Sequence, residues 1–201
     1  MLLLYAGVVK LADMLDFDCV TTVEFIRDFK KRKYKKLKNQ NLQGGLFLDF
    51  VTATIDDIKQ LTKMRIAYIE DEQQGIKEKD VQIMLKKLPV YFLKHLGKDL
   101  IAFVAKENNE IIATAFLLII EKPSSPNFIN GLTGSVLNVY TLPQYRKNGI
   151  STYLMNNIMK YAKENEFDYI ELKATKEGYS LYKRLGFYEY CSEYTDMRLP
   201  Q

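Results

Sequence analysis

The chain has 201 residues and is 47% hydrophobic, which is enough for one domain with a full core. Its formal charge of +4 lies in residues 1–45, which hold nine Lys/Arg and five Asp/Glu, whereas residues 46–201 hold twenty of each. The two cysteines are far apart in the sequence, which argues against a disulfide framework and favours a cytoplasmic protein. With a single histidine, a metal site is not expected either. No apolar run reaches the ~18 residues of a membrane span.

The N-terminal segment differs from the rest of the chain, mainly through the basic run at residues 30–38. One interpretation is a tail that binds nucleic acid or an anionic surface. A solvated, partly helical tail is favoured, so nucleic acid is not expected as a partner. Residues 6–16 also resemble the peptide obtained by translating the start of a bacterial leucine tRNA gene. We therefore expect residues 1–45 to be a poorly ordered or non-native extension and residues 46–201 to form the domain.

The pattern becomes regular at Leu46. Alternating apolar and polar residues predict a strand over residues 46–53. Residues of the type that cap helices follow at 54–57 and predict a helix that runs to about Glu72. A second helix is predicted over residues 78–96, and its proline is expected to kink or split it.

The rest of the domain alternates strands and helices. A hairpin is predicted from two apolar segments with a tight polar connection at residues 106–110. The predicted elements are strands 100–105, 111–120 and 134–141, a helix over 150–165, a strand over 169–174, a short helix over 177–185 and a final strand over 187–198.

The connection after residues 134–141 has the composition of an anion-binding loop. The spacing Arg146-x-x-Gly149-x-Ser151 places small residues just before a predicted helix. Unpaired amides at a helix N-terminus and the helix dipole together favour a phosphate group there. The short motif is weak by itself, because an ordinary strand–turn–helix connection with a glycine hinge has the same spacing.

A second motif supports the first. Residues 181–187 read Leu-Tyr-Lys-Arg-Leu-Gly-Phe. With the loop motif, this segment resembles the GNAT superfamily of acyl-CoA N-acyltransferases over about the last three quarters of the chain. The resemblance implies an α/β fold of the α+β type, with a six- to seven-stranded mixed sheet and helices on both faces. It also implies that the sheet splays between its fourth and fifth strands, residues 134–141 and 169–174.

The resemblance implies an enzyme that uses acetyl-CoA as cosubstrate and needs no metal. The reaction would be direct transfer of the acetyl group to a primary amine of an unidentified small-molecule acceptor, with a backbone N–H of strand 134–141 polarising the thioester carbonyl. The alternative is a non-catalytic acyl-CoA-binding module that regulates a partner. A homodimer is left open.

Site residues follow from the same resemblance. Tyr182 is the candidate general acid for the departing thiolate, with a packing role beside Phe187 as the alternative. Thr175 stands where many family members have an asparagine that contacts CoA or substrate. The residues expected to bind acetyl-CoA through the strand edge and the phosphate loop are Val139, Tyr140, Thr141, Arg146, Lys147, Asn148, Gly149, Ile150 and Ser151.

The acceptor side carries no motif. Tyr68, Tyr91 and Phe92 either line the acceptor pocket or belong to the core. No general base is singled out among five carboxylates, and His95 is expected to be a surface or helix-ending residue. The five carboxylates are Glu70, Asp71, Glu72, Glu121 and Glu171.

Overall fold

The computed structural model describes residues 37–42, 46–191 and 194–200. Six strands form one sheet, in which each strand lies beside its neighbours in the chain. The strands are β1 Leu37–Leu42, β2 Leu46–Thr52, β3 Leu100–Glu107, β4 Glu110–Glu121, β5 Leu132–Thr141 and β6 Tyr169–Leu172. The helices are α1 Ile58–Gln73, α2 Glu78–His95, α3 Ile150–Glu164 and α4 Lys176–Arg184.

The sheet is mixed, as predicted. Strands β1 to β5 pair antiparallel, and β6 pairs parallel to β5. A two-residue turn joins β3 to β4, and both of its residues, Asn108 and Asn109, have positive φ angles of 48° and 69°. A two-residue hairpin turn requires this conformation, and asparagine adopts it at low cost.

Helices cover both faces of the sheet and bury a core on each side. On one face, α3 packs through the stripe predicted from its spacing, because Ile150, Leu154 and Ile158 are at most 2% exposed. On the other face, Leu61 of α1 and Phe92 of α2 are at most 1% exposed. The predicted fold class is therefore confirmed, and Phe92 is a core residue.

The first two helices follow the predicted boundaries. A 3₁₀ turn at Ile55–Asp57 precedes α1, and Thr54 caps it through a capping box with Asp57. Helix α2 is continuous from Glu78 to His95, so Pro89 does not split it. Pro89 lacks the N–H that would bond to the carbonyl of Leu85, and Leu85 lies on the exposed side of the helix, where water can replace that donor.

Two boundaries differ from the prediction. Residues 187–191 and 194–200 form no strand, so the predicted final strand over 187–198 is wrong for the described residues. Alternating residues form a strand only when a neighbouring strand pairs with them, and β6 offers an edge of only four residues. Tyr188 and Tyr190 are 77% and 78% exposed, so their side chains do not pack on the sheet. Strand β1, in contrast, lies inside the predicted extension, whose residues 1–36 and 43–45 are outside the described ones.

No helix within the described ranges 37–42, 46–191 and 194–200 is long and apolar enough to cross a membrane.

Candidate active site

Strand β5 extends beyond its neighbour β6. Parallel pairing runs from Thr133 opposite Tyr169 to Val136 opposite Leu172, where β6 ends. Strand β5 continues to Thr141. Residues 137–141 therefore pair with β4 on one side and, within the described residues, with no strand on the other. This is the predicted splay, and the free backbone edge includes the three residues expected to bind the pantetheine arm, Val139, Tyr140 and Thr141.

A β-bulge lies at the start of this free edge. Leu137 pairs with Phe116 and Tyr140 with Thr114, so two residues of β5 face one residue of β4. Asn138 has a φ of 53° and is 3% exposed. Its Nδ2 donates to Thr114 Oγ1 at 2.8 Å, and that hydroxyl donates to the Asn138 carbonyl at 3.1 Å. The bulge thus has its own buried polar support.

The sequence analysis missed this bulge, although a signal was present. Asparagine is depleted in strands and tolerates the left-handed conformation better than most residues. An asparagine within the apolar run of residues 136–140 is therefore a sign of a bulge. The consequence for the site is that Val139 packs on the α3 side of the sheet, whereas Tyr140 packs on the α1 side.

The loop after β5 ends at the N-terminus of α3. Lys147 and Gly149 have φ angles of 65° and 77°, and Gly149 is the N-cap of α3 without a side chain to cap it. The first intrahelical bond runs from the Tyr153 N–H to the Gly149 carbonyl at 3.0 Å. The preceding amides, including those of Ile150 and Ser151, are the donors that a helix leaves free at its start. The loop therefore has the geometry of an anion site.

A cleft of about 350 Å³ opens in front of these amides. Its walls come from the end of β5, the loop, the first turn of α3 and helix α4. The lining residues are Thr141, Tyr145, Arg146, Lys147, Gly149, Ile150, Ser151, Thr152, Leu181 and Arg184. Asn148 lies in the same loop and is exposed, and its Nδ2 donates to the Tyr145 carbonyl at 3.2 Å.

Arg146 lines the cleft and also makes two contacts within the fold, and its predicted contact with the phosphates stays a prediction. Its Nη2 donates to Asp71 Oδ2 in α1, and its Nε donates to the Thr141 carbonyl at 3.1 Å. The hydrogen bond to the Asp71 carboxylate raises the pKa of Arg146, and the ion pair offsets part of its positive charge. Lys147 and Arg184 are the cleft cations for which the described residues offer no carboxylate within 4.0 Å. Arg184 was missed, because its sequence position alone does not relate it to the loop.

Ser151 is the small residue that ends the loop motif, at a position where the GNAT pattern that the sequence resembles has glycine or alanine. Its hydroxyl is hydrogen-bonded to the hydroxyl of Thr141 at 2.9 Å. The extra oxygen thus has a local partner that ties the start of α3 to the end of β5. Ile150 beside it is 2% exposed and anchors the same turn in the core. The substitution is accommodated without loss of the loop geometry.

Tyr182 lies on α4 and is 9% exposed. Its ring contacts that of Phe187 edge to face at 6.0 Å. Gly178, one turn earlier, leaves room for this ring, because a Cβ there would stand 2.9 Å from Tyr182 Cε2. Burial raises the pKa of Tyr182 above its usual value. The phenol therefore stays protonated at neutral pH, as a proton donor must.

Thr175 is the N-cap of α4. Its Oγ1 accepts a hydrogen bond from the Gly178 N–H at 3.2 Å. The structure thus gives this side chain a capping role that positions the helix of Tyr182. Its predicted contact with acetyl-CoA stays a prediction.

The opposite wall of the site comes from α1 and α2. The ring centres of Tyr68 and Tyr140 are 6.0 Å apart, and Tyr68 lies within electrostatic range of Tyr182. Burial, followed by the nearby Glu72 carboxylate, raises the pKa of Tyr68 to about 12. Arg65 lies 5.5 Å from the Tyr68 ring centre, and its Nη1 donates to Asn138 Oδ1 at 3.2 Å. The sequence analysis identified the tyrosines of this wall but not Arg65. A polar residue at helical spacing cannot be distinguished from the ordinary pattern of an amphipathic helix.

The five carboxylates considered as bases fall into different places. Asp71 is engaged by Arg146, and Glu121 pairs with Leu132 at the far end of β5. Glu171 lies opposite Ser135 in the paired part of the sheet and is exposed. Glu72 is the carboxylate beside Tyr68 and Arg65. Glu70 is exposed on α1.

His95 ends α2, as predicted. Its Nδ1 is 2.9 Å from the Asp99 carboxylate, and its ring stacks on Tyr91 at 4.4 Å. Tyr91 is 37% exposed, so it is not part of the buried core, and it lies within electrostatic range of Arg65. In the part of the chain that the structure describes, no three His, Cys, Asp or Glu residues are grouped to hold a metal ion.

Comparison with known families agrees with this geometry. The sequence model of the acetyltransferase (GNAT) family matches residues 64–187. Because this match covers more than half of the chain, the chain belongs to the GNAT acetyltransferase family. No sequence among the curated proteins matches it.

Solved structures are similar over nearly their whole length. A predicted acetyltransferase with acetyl-CoA from Clostridium acetobutylicum is 33% identical, with a TM-score of 0.67, and the match covers 75% of this chain and 96% of that one. A GCN5-related N-acetyltransferase from Ralstonia eutropha JMP134 is 26% identical, with a TM-score of 0.63 and coverages of 77% and 98%. Glucosamine-6-phosphate N-acetyltransferase from Arabidopsis thaliana, at 16% identity, TM-score 0.52 and coverages of 75% and 97%, shares the fold.

Proposed function

We propose that this protein is an N-acetyltransferase that transfers the acetyl group of acetyl-CoA directly to a primary amine of a small-molecule acceptor. The observation that carries the proposal is the position of the free edge of β5. This edge begins where β5 and β6 part, ends at the anion-binding start of α3, and faces the helix that carries Tyr182. The cleft, together with the strand edge that leads to it and the neighbouring helix, would thus offer partners for a phosphate, a peptide-like arm and a departing thiolate.

The chain offers candidate contacts for the pyrophosphate and the pantetheine arm of acetyl-CoA. The amides of Gly149, Ile150 and Ser151 would bind the pyrophosphate, helped by the charges of Lys147 and Arg184. The N–H and C=O groups of residues 139–141 would pair with the amides of the pantetheine arm, as an exposed strand edge pairs with a peptide. The acetyl-CoA-bound relative from Clostridium acetobutylicum supports this assignment.

Tyr182 would protonate the sulfur of CoA as the thioester bond breaks. A thiol has a reference pKa of about 8.5, and the pKa of Tyr182 is raised above that of an ordinary phenol, so the transfer is somewhat uphill. Because the pKa of the phenol is higher than that of the thiol, proton donation that is concerted with bond breaking is favoured. A backbone N–H near the bulge of β5 would polarise the thioester carbonyl.

Two measurements on one preparation test the proposal. Calorimetry with acetyl-CoA measures binding, and a thiol-release assay with a panel of amines measures turnover. We expect micromolar binding and thiol release that depends on an added amine. Binding without turnover on any amine would favour the acyl-CoA-binding regulatory module, and absence of binding would refute both functions.

A further inference from the structure

Arg65 is the least explained charged residue of the site. It projects from α1 toward the bulge of β5, and its side-chain hydrogen bond within the described residues runs from Nη1 to Asn138 Oδ1, at 3.2 Å. A guanidinium group has five N–H donors. One amide oxygen therefore leaves most of the hydrogen-bonding capacity of Arg65 unused within the described residues.

The charge of Arg65 is also incompletely balanced. The ion pairs among the described residues, at 4.0 Å or less, do not include Arg65. Glu72 acts on it only from a longer distance, and burial lowers the pKa of Arg65. The Tyr68 ring, whose centre lies 5.5 Å from the guanidinium carbon, offsets part of the cost of burying this cation, and no carboxylate among the described residues lies within 4.0 Å to offset the rest.

The position of Arg65 relates it to the reacting groups. Its partner Asn138 forms the bulge, and Tyr140 lies two residues further along the free edge. Its other neighbour, Tyr68, contacts Tyr140 and lies within electrostatic range of the proposed acid Tyr182. Arg65 therefore faces the region next to the point of acetyl transfer, on the side away from the phosphate loop.

We propose that Arg65 binds an anionic group of the acceptor, a carboxylate or a phosphate, within a few bonds of the amine that is acetylated. The aromatic walls formed by Tyr68, Tyr91 and Tyr140 accommodate the carbon skeleton between the two groups. This inference rests on the proposed acetyltransferase function and specifies the acceptor class.

The planar guanidinium fits both anions, because its paired N–H groups match two oxygens of a carboxylate or a phosphate. Glu72 at longer range would hold the ammonium form of the acceptor near the same wall. An acceptor with both charges would then complete a site that is unbalanced without it.

The test compares matched amines that differ only in the anion. The probes are L-phenylalanine against L-phenylalaninamide, and phosphoethanolamine against ethanolamine. Each is titrated into the protein saturated with CoA by calorimetry, and each is assayed with acetyl-CoA for kcat/KM. We expect the anionic member of one pair to be preferred about 10- to 100-fold, which is the range of a hydrogen bond to a charged group. A preference within the phenylalanine pair identifies a carboxylate as the anionic group, and a preference within the ethanolamine pair identifies a phosphate.

Variants connect the preference to Arg65. Arg65→Gln retains a donor for Asn138 and should reduce the preference to near one, with the affinity for acetyl-CoA unchanged. Arg65→Lys keeps the charge without the fork and should give an intermediate value. Lys63→Gln removes the same charge from an exposed position of α1 and should leave the preference intact.

The outcomes separate this inference from the function on which it rests. Equal responses to both members of both pairs, including no response to any, overturn it, as does a preference that survives in Arg65→Gln. If Arg65→Gln fails to fold, the comparison on the natural protein still decides. Loss of acetyl-CoA binding to the natural protein would instead refute the proposed function.

Discussion

The two halves of the site are built in different ways. The half that we propose for acetyl-CoA is mostly contiguous, since residues 139–151 supply the strand edge, the loop and the helix start. The half that we propose for the acceptor combines side chains from α1, α2 and the bulge of β5. In this proposal, backbone amides bind the ligand in the first half and side chains bind it in the second. A backbone site requires small residues at fixed positions and leaves a motif, whereas a side-chain site at helical spacing does not.

The largest expected effect comes from the residue between the two halves. Tyr182→Phe keeps the ring and its packing on Phe187 but removes the proton. We expect kcat to fall by ~10²–10⁴ with acetyl-CoA affinity unchanged, because the proton is needed only as the thiolate leaves. Tyr179→Phe, on the same helix and 42% exposed, is the matched control. Full activity of the Tyr182 variant would remove it from the mechanism.

Gly149→Ala addresses the acetyl-CoA half alone. The Cβ would meet no atom within 4 Å, but the φ of 77° strains any side chain, and a β-branched valine most of all. We expect acetyl-CoA affinity to fall at least about tenfold, since the methyl group stands where a phosphate must approach the amides.

Gly186→Ala is the control for Gly149→Ala. Gly186 has a φ of 92° and equally open space. Both variants should lose about 1–2 kcal/mol of stability through left-handed strain, measured by urea unfolding. Equal acetyl-CoA affinities in the two variants would show that the loop does not bind the phosphates.

Gly178→Ala tests how closely Tyr182 is positioned. The added Cβ, 2.9 Å from Tyr182 Cε2, must shift the ring, whereas alanine gains about 1 kcal/mol of helix propensity. We expect unchanged or slightly higher stability and a fall of about 3- to 10-fold in kcat from misplacement of the phenol. The same substitution in a Tyr182→Phe background should have no further effect on kcat, and a persisting effect would point to a separate role for Gly178.

A pH titration examines the acceptor half. The pKa of Tyr68 is about 12 in the folded protein and about 10 in an unfolded chain. Between these values the unfolded chain loses the proton while the folded one keeps it, so the free energy of unfolding falls as pH rises from about 10 to about 12. Tyr68→Phe should flatten this fall, and Tyr188→Phe, 77% exposed, should not. Identical slopes in both variants would contradict the burial of the Tyr68 phenol.

The smallest effect is expected from the N-terminal segment. Strand β1 lies at the edge of the sheet opposite β6, so a chain beginning at Leu46 should bind acetyl-CoA with unchanged affinity. Its melting temperature should fall by no more than about 4 °C, which corresponds to about 1 kcal/mol for this size. A chain beginning at Leu37 is the control for β1 itself. A large loss of acetyl-CoA affinity would show that the segment belongs to the functional domain.

Sequence patterns predicted the parts of the fold that depend on local rules. Hydrophobic periodicity located α3 and its buried stripe, and turn residues located the β3–β4 hairpin. They failed for the described residues 187–191 and 194–198, because alternation does not make a strand when no ladder forms with a neighbour, and β6 offers an edge of only four residues. The loop motif was found because its residues are close together in the sequence. Arg65, Asn138 and Arg184 were not found, because their roles depend on which elements the fold brings together.

The pairing of Arg146 with Asp71 has a consequence for how the two substrates should be studied. It fastens the loop in front of α3 to the last turns of α1, the helix that also carries Arg65 and Tyr68. One helix thus reaches both the proposed donor pocket and the proposed acceptor pocket. Linkage between binding sites is reciprocal. If binding of one ligand to this helix changes the affinity for the other ligand by some factor, the second ligand changes the affinity for the first by the same factor. Asp71→Asn, which touches neither substrate directly, is therefore best judged by the affinity for one substrate in the presence and absence of the other.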